Sequence, residues 1–371
     1  MANFDVADLA LQAVAPGNKL LYDDKGLPSV MVYIPKFKLS EVLTGGPDTY
    51  HPAFIINGTV VDGIYISKYQ NVVENGRAYS LPGKDPKANL TWDTARGYCE
   101  AKGAGWHMMT KAEWAMIALW CKAHGIFPKG NNNFGKDSTE TAYQAIPMTY
   151  GTGADAGKIY HTATGTGPLT WSHDGTMKGI MDLNGNVSEW TGGIRTVYGE
   201  LQFLVNNNAA DKSHSQSATS DQWKALDATT GEFVTPDGTG TTTNSVKVIV
   251  ASGKPKYVNA IDRSEGSTEL SDSFSGKITE ITCSEDISST TQSVLRAYAL
   301  LAESGSSATD YGDGDVISFN NNADERLAYG GGGYGSGAYA GVFFSLGSYY
   351  TRSGMSASVG FRSAYAVLPT A

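Results

Sequence analysis

Cysteine is scarce, with Cys99, Cys121 and Cys283 the only three in a chain of 371 residues. They are too few and too scattered for a disulfide framework or a CxxC metal site, so at most one bridge forms, and buried free thiols are the plainer reading. Basic residues are outnumbered, 28 against 37 acidic, for a net charge of -9. That balance excludes a general binder of nucleic acid or of anionic membrane, because both partners require a basic face. The longest apolar stretch, residues 114–121, is far short of a span, so no membrane insertion is expected. Residues 1–18 carry Asp5 and Asp8 and no basic n-region, and read as a short helix or arm instead of a secretory signal. The expectation is a protein made soluble, which reaches any extracellular target by another route, such as release inside a virus particle. The six histidines form no HExxH or other recognisable metal-ligand cluster.

Glycine, by contrast, is abundant. The 44 glycines make up about 12% of the chain, against a norm of roughly 7%, without a G-X-Y period. Collagen is thereby excluded and a loop-rich fold is favoured. With 41% hydrophobic residues the chain buries a substantial core.

The texture changes along the sequence. Val30, Met31, Val32, Tyr33, Ile34 and Pro35, followed by Phe37 and Leu39, predict a strand, and residues 63–69 predict a second. Trp92, Ala95 and Cys99 stand at helical spacing behind a cap at Asn89 or Thr91. Thr110 to Glu113 is a capping-box pattern, opening a helix through Trp114, Ile117, Ala118 and Cys121 that stops near Gly125. Residues 195–290 are rich in Ser, Thr, Asp and Gly with short β-like runs, and read as an inserted or elongated region with its own strands and, having one tryptophan, Trp223, a small core. Val294, Ala297 and Leu301 then predict a helix over residues 293–304.

The most specific motif is Asp182, Leu183, Asn184, Gly185, Asn186, Val187, Ser188, Glu189 and Trp190. Asn184-Gly185 is a turn pair, Val187 and Trp190 are core anchors, and Glu189 is an acid drawn inward beside them. Such an acid needs a partner: backbone N–H groups, an arginine, or a hard cation shared with backbone oxygens.

This stretch resembles the GNVxEW signature of the formylglycine-generating-enzyme (sulfatase-modifying-factor) branch of the C-type lectin fold. Other pieces fall in that family's order: Val32 to Pro35, Ile66 to Tyr69, Thr110 to Trp114, and the closing Val359, Gly360, Phe361 and Arg362. The resemblance covers residues 28–195 and 320–368 and departs at Met108, Met109, Thr110 and Lys111, where the family has LPTE. It implies an α+β, C-type lectin-like domain over residues 28–371, with an N-terminal arm at 1–27 and an elaborated insert at about 196–290. It also implies calcium as the one candidate cofactor, held by Asp182 and Glu189 through side chains and by Gly185 and Val187 through carbonyls. The family's oxidases use reactive cysteines in the C-terminal part of the fold; here no cysteine follows Cys283, so no enzyme activity is expected.

Residues 327–362 hold ten glycines and eight aromatics, and no Asp, Glu, Lys or Asn. This is a paratope-like composition, in which Tyr supplies rigid contact area and Ser and Gly let the backbone adapt. The segment resembles the variable region of diversity-generating retroelement proteins. The fixed parts would be Arg326, Leu327 and Ala328, then Gly331, Gly332, Gly337 and the run 340–343, then Arg352, Ser353 and residues 359–364. In that family adenines of template Asn codons are copied with errors, and an AAC or AAT codon altered at its first two bases yields Gly, Ser, Tyr or Phe, among others, and never a stop. The matching variable, ligand-binding positions are Gly333, Gly335, Ser336, Tyr339, Phe344, Gly347, Tyr349, Tyr350, Gly354, Ser356 and Ser358, with Phe344, Tyr349 and Tyr350 the expected hot spots.

The resemblance thus implies a non-enzymatic binding protein similar to the tropism determinants of retroelement-bearing phages, carried on the virion tail. Its partner would be a protein or glycan on a bacterial surface, with no nucleic acid involved and the oligomeric state left open. The alternatives are a bacterial surface-displayed variable adhesin and a formylglycine-generating-type oxidase.

Overall fold

The computed structural model describes residues 5–347 and 350–369. The two expected strands form as Pro28–Pro35 and Gly63–Ser67. They pair antiparallel with Val32 opposite Ile66, as β-branched residues suit a pleated surface packed on a core. Asn18–Tyr22 adds an outer edge, while Ser363–Tyr365 and Trp106–Met108 complete a five-stranded antiparallel sheet on the other side. The first and last strands of the chain therefore share one sheet. Residues 18–22, which fall within the expected arm, belong to the sheet, and among the described residues the helix Val6–Val14 precedes them, capped by Asp5 and burying no residue.

Both middle helices form where their caps place them. Thr91 caps Trp92–Glu100 by accepting from Thr94 N. Lys111–His124 opens on a full capping box between Thr110 and Glu113, and stops at Gly125, whose φ of 64° no other residue type adopts as easily. The helix expected at residues 293–304 is instead Ser289–Ala297, capped by Ser288. Ala299, at φ 51°, ends it, and Leu300 and Leu301 stay buried because the turn after the helix packs into the same core.

The second sheet is larger. Its path runs through Phe274–Lys277, Val316–Phe319, Gly341–Gly347, Arg326–Gly331, Ser188–Val197, Glu200–Phe203, Lys247–Ala251, Lys254–Val258 and Thr282–Cys283. Seven strands of this sheet, counting Lys224–Leu226 and Phe233–Val234 beside the path, belong to the middle region expected as an insert with a small core of its own. That region is not separate: Ile194 pairs with Phe203, and Leu201, Phe203, Leu226, Val246, Val248 and Tyr257 lie in the main core with Ile64, Trp114 and Ile117. Only Leu204, Ala209 and Trp223 form a satellite cluster. Strands that continue an existing sheet need no second core, which explains why the single tryptophan suffices.

At the centre of this sheet, Ser188–Val197 pairs parallel with Val359–Phe361 and antiparallel with Arg326–Gly331. Trp190 therefore faces Phe361 on one side and Tyr329 on the other, in a second core cluster with Trp92, Leu327, Phe344 and Val359. Immediately after Phe361 the chain crosses, through Arg362, into the five-stranded sheet.

Candidate functional site

Glu189 is drawn inward as its place beside Trp190 predicts, and its partner is an arginine. Arg362 donates from Nε to Glu189 Oε2 at 2.6 Å and from Nη2 to Oε1 at 2.7 Å, with both side chains essentially inaccessible. The same guanidinium donates to the carbonyls of Ser67 at 2.8 Å and Met181 at 3.0 Å, so one cation joins the first sheet, the motif loop and the last strand. A buried charge is tolerated only with such complete pairing.

The oxygens expected to hold calcium do converge, but on a nitrogen. Gln70 Nε2 lies 2.8 Å from the Val187 carbonyl, 3.1 Å from that of Asp182, 3.3 Å from that of Gly185 and 3.1 Å from Glu189 Oε1. Asp182 contributes its main-chain oxygen and not its side chain, which accepts from Gly165 N and whose pKa burial pushes up to about 6. These residues do not fit a cation, because the central position is filled and Glu189 is neutralised by Arg362. The calcium expectation is corrected accordingly. Gln70 directly follows the family piece Ile66 to Tyr69, but nothing in the sequence marked it as a partner of the motif loop.

Asn186, between these residues, links the motif to the glycine-rich segment. Its Nδ2 donates to Gln70 Oε1 and the Thr162 carbonyl, its Oδ1 accepts from Asn131 Nδ2 and Thr162 N, and its own carbonyl accepts from Tyr334 N. Tyr334 then stacks on Tyr160 of the Ile159–Thr162 strand, ring centroids 4.2 Å apart. His161 bonds the Ala357 carbonyl and Asp85, tying that strand to the far end of the segment.

Most of the expected fixed positions are core, whereas Arg326, Gly337 and Arg352 are half-buried and Ser353 is exposed. Leu327, Val342, Phe343, Val359 and Phe361 are buried, and the Trp114 indole donates to the Val342 carbonyl at 2.7 Å. The expected variable positions divide. Gly335 and Tyr339 are exposed; Ser336, Gly347, Tyr350, Gly354, Ser356 and Ser358 are half-buried. Gly333 and Phe344 are buried, which corrects their assignment to an outer face. Phe344 lies on the opposite side of the Gly341–Gly347 strand from Phe343, and both faces are covered, Phe343 packing in the main core and Phe344 in the cluster around Trp190. Tyr350 meets Trp190 edge-on at 5.7 Å and Tyr329 at 5.4 Å, so it is partly a core residue. Tyr349 lies outside the described residues.

Apart from Gly330, the glycines of the segment fall into two kinds. Gly331, Gly332, Gly337 and Gly341, all expected to be fixed, have positive φ, and a Cβ on Gly360 would sit 2.7 Å from the Lys87 carbonyl. Gly333, Gly335, Gly347 and Gly354, expected to vary, all lie outside the positive-φ region. Their nearest backbone neighbours are no closer to an added Cβ than 3.2 Å, and the tighter contact at Gly354 is to the Tyr350 side chain. Backbone conformation or backbone contact favours glycine at the first kind and not at the second.

The family model for the sulfatase-modifying factor enzyme 1-like domain matches residues 15–264, about two thirds of the chain. The chain belongs to this family. A comparison with curated proteins found no match. In this sulfatase-modifying-factor-like domain the matched range takes in much of the middle region and ends before the glycine-rich segment, which supplies central strands to the same sheet. Its mixed architecture of few helices and two main sheets is compatible with the C-type lectin-like fold of the family. Among the described residues no group of three or more His, Cys, Asp or Glu is placed to hold a metal. Cys99 and Cys121 are buried with their thiols pushed up by burial, and Cys283 is pushed up to about 11 by the same cause.

Proposed function

We propose that this domain is a non-enzymatic ligand-binding protein whose C-terminal segment is a changeable recognition face of the diversity-generating retroelement kind. The setting proposed is a phage tail tip, with a protein or glycan of a bacterial surface as ligand. The observation that carries the reading is the division of the glycines: those assigned to fixed positions are favoured by backbone geometry, and those assigned to variable positions are not. A segment rewritten by adenine-directed copying must tolerate any product at the variable sites, while its backbone is held by residues outside them. Asn186, Trp114 and the Glu189–Arg362 pair do that holding. Burial keeps the Cys99 and Cys121 thiols out of the thiolate form that oxidase chemistry would need, which weighs against the enzyme alternative.

The deciding experiment is sequencing of the locus. The expected result is a near-copy of the final coding segment with Asn codons at the variable positions and a reverse transcriptase gene nearby; a locus without the copy overturns diversification. Binding is tested separately with labelled protein on bacterial cells. Tyr339→Ala is expected to weaken capture with an unchanged melting temperature, since Tyr339 is exposed.

A further inference from the structure

The match to a calcium-linked motif and the occupancy of its centre by an amide are in conflict, and the distances decide between them. Calcium draws six to eight oxygens to about 2.3–2.6 Å, whereas N–H donors hold oxygens at about 2.7–3.2 Å. The four oxygens around Gln70 Nε2 stand at 2.8 to 3.3 Å, the spacing of an amide's donors. The orientation of the amide is fixed as well, because its Oε1 accepts from Asn186 Nδ2 at 3.0 Å, so the nitrogen end must face the oxygens. Charge agrees with distance: Glu189, the one carboxylate among the four oxygens, is already paired with Arg362, and the Asp182 carboxyl is turned away to Gly165 N.

We propose that Gln70 and Arg362 together replace a structural cation in the loop from Asp182 to Glu189, Gln70 as the central donor and Arg362 as the counter-charge, so that the loop is held without metal. Three carbonyls and a carboxylate that would repel one another share a single positive dipole end. The loop they shape presents Asn186, whose carbonyl receives Tyr334 N, so the glycine-rich segment is positioned by a covalently permanent group, indifferent to the calcium concentration outside a cell.

The test is thermal unfolding of the wild-type chain and of Gln70→Glu, each in a chelator and in millimolar calcium. The wild type is expected to melt at the same temperature in both and to carry no stoichiometric calcium after dialysis, by elemental analysis. Gln70→Glu, nearly isosteric, places a second carboxylate among the same oxygens, so it is expected to melt several degrees lower in chelator and to recover in calcium. A wild type that loses several degrees in chelator, or retains one calcium per chain, overturns the proposal. So does a Gln70→Glu variant as stable as wild type in chelator. Should Gln70→Glu yield no folded protein without calcium, the two wild-type measurements still decide.

Discussion

Arg362 and Glu189, 173 residues apart in the chain, form a two-point ion pair at 2.6 and 2.7 Å in a fully buried position. The pair lies where the last strand leaves the larger sheet for the smaller one. It therefore fixes the junction of the two sheets as well as the motif loop.

Arg362→Ala is expected to cost about 3–5 kcal/mol, because it strands the Glu189 charge and empties the donors to Ser67 and Met181. Denaturant unfolding measures it; a loss below about 1 kcal/mol would show the charge to be compensated elsewhere.

Trp190→Ala should cost about 3–5 kcal/mol as a large-to-small change at a fully buried site. The indole also donates to the Leu90 carbonyl at 3.2 Å. A near-neutral result would contradict the placement of the motif strand at the sheet centre.

Gly347→Ser is expected to leave stability within about 0.5 kcal/mol, since an added Cβ meets nothing closer than 3.8 Å. Gly331→Ala, at φ 84° with the Leu183 carbonyl 2.8 Å from the added Cβ, should destabilise by more than about 1 kcal/mol. Melting curves of the two variants test the division of the glycines directly, and equal costs would remove it.

Stability should rise as pH increases from 7 to 9. Burial lowers the pKa of Lys102 and Lys111 to about 7 and that of Lys68 to about 8, from an ordinary 10.5. In that window the unfolded chain binds more protons than the folded one, so the slope is positive, at most about 1.4 kcal/mol per pH unit for each group. Above pH 9 the raised thiols of Cys99 and Cys121 act in the opposite direction, because the unfolded chain then loses its thiol protons first. Lys102→Met should flatten the rise; an unchanged slope in that variant would show that Lys102 does not contribute to it.

Much of the local structure is legible in the residues. The capping box at Thr110 and Glu113 and the stop at Gly125 place one helix to within a residue, because these signals act on backbone groups next to them. The periodicity of Val294, Ala297 and Leu301 misplaced another, since burial beyond Ala297 comes from a turn that the pattern cannot separate from helix. Glu189 was legible as an acid in need of a partner, with arginine among the choices. Phe344 was not legible as core, because alternation along one strand shows two faces but not that both are covered.

The sequence by itself determined the caps, the strands, the motif turn and the family, all of which depend on neighbours within a few residues or on their order along the chain. Only the tertiary structure decided that Gln70 and not a cation fills the motif loop, that the middle region extends the main sheet, and which residues of the glycine-rich segment reach the surface. Those outcomes depend on contacts between residues often more than a hundred positions apart, and distance in space between such residues is set by the packing of sheets and is not written in any local pattern.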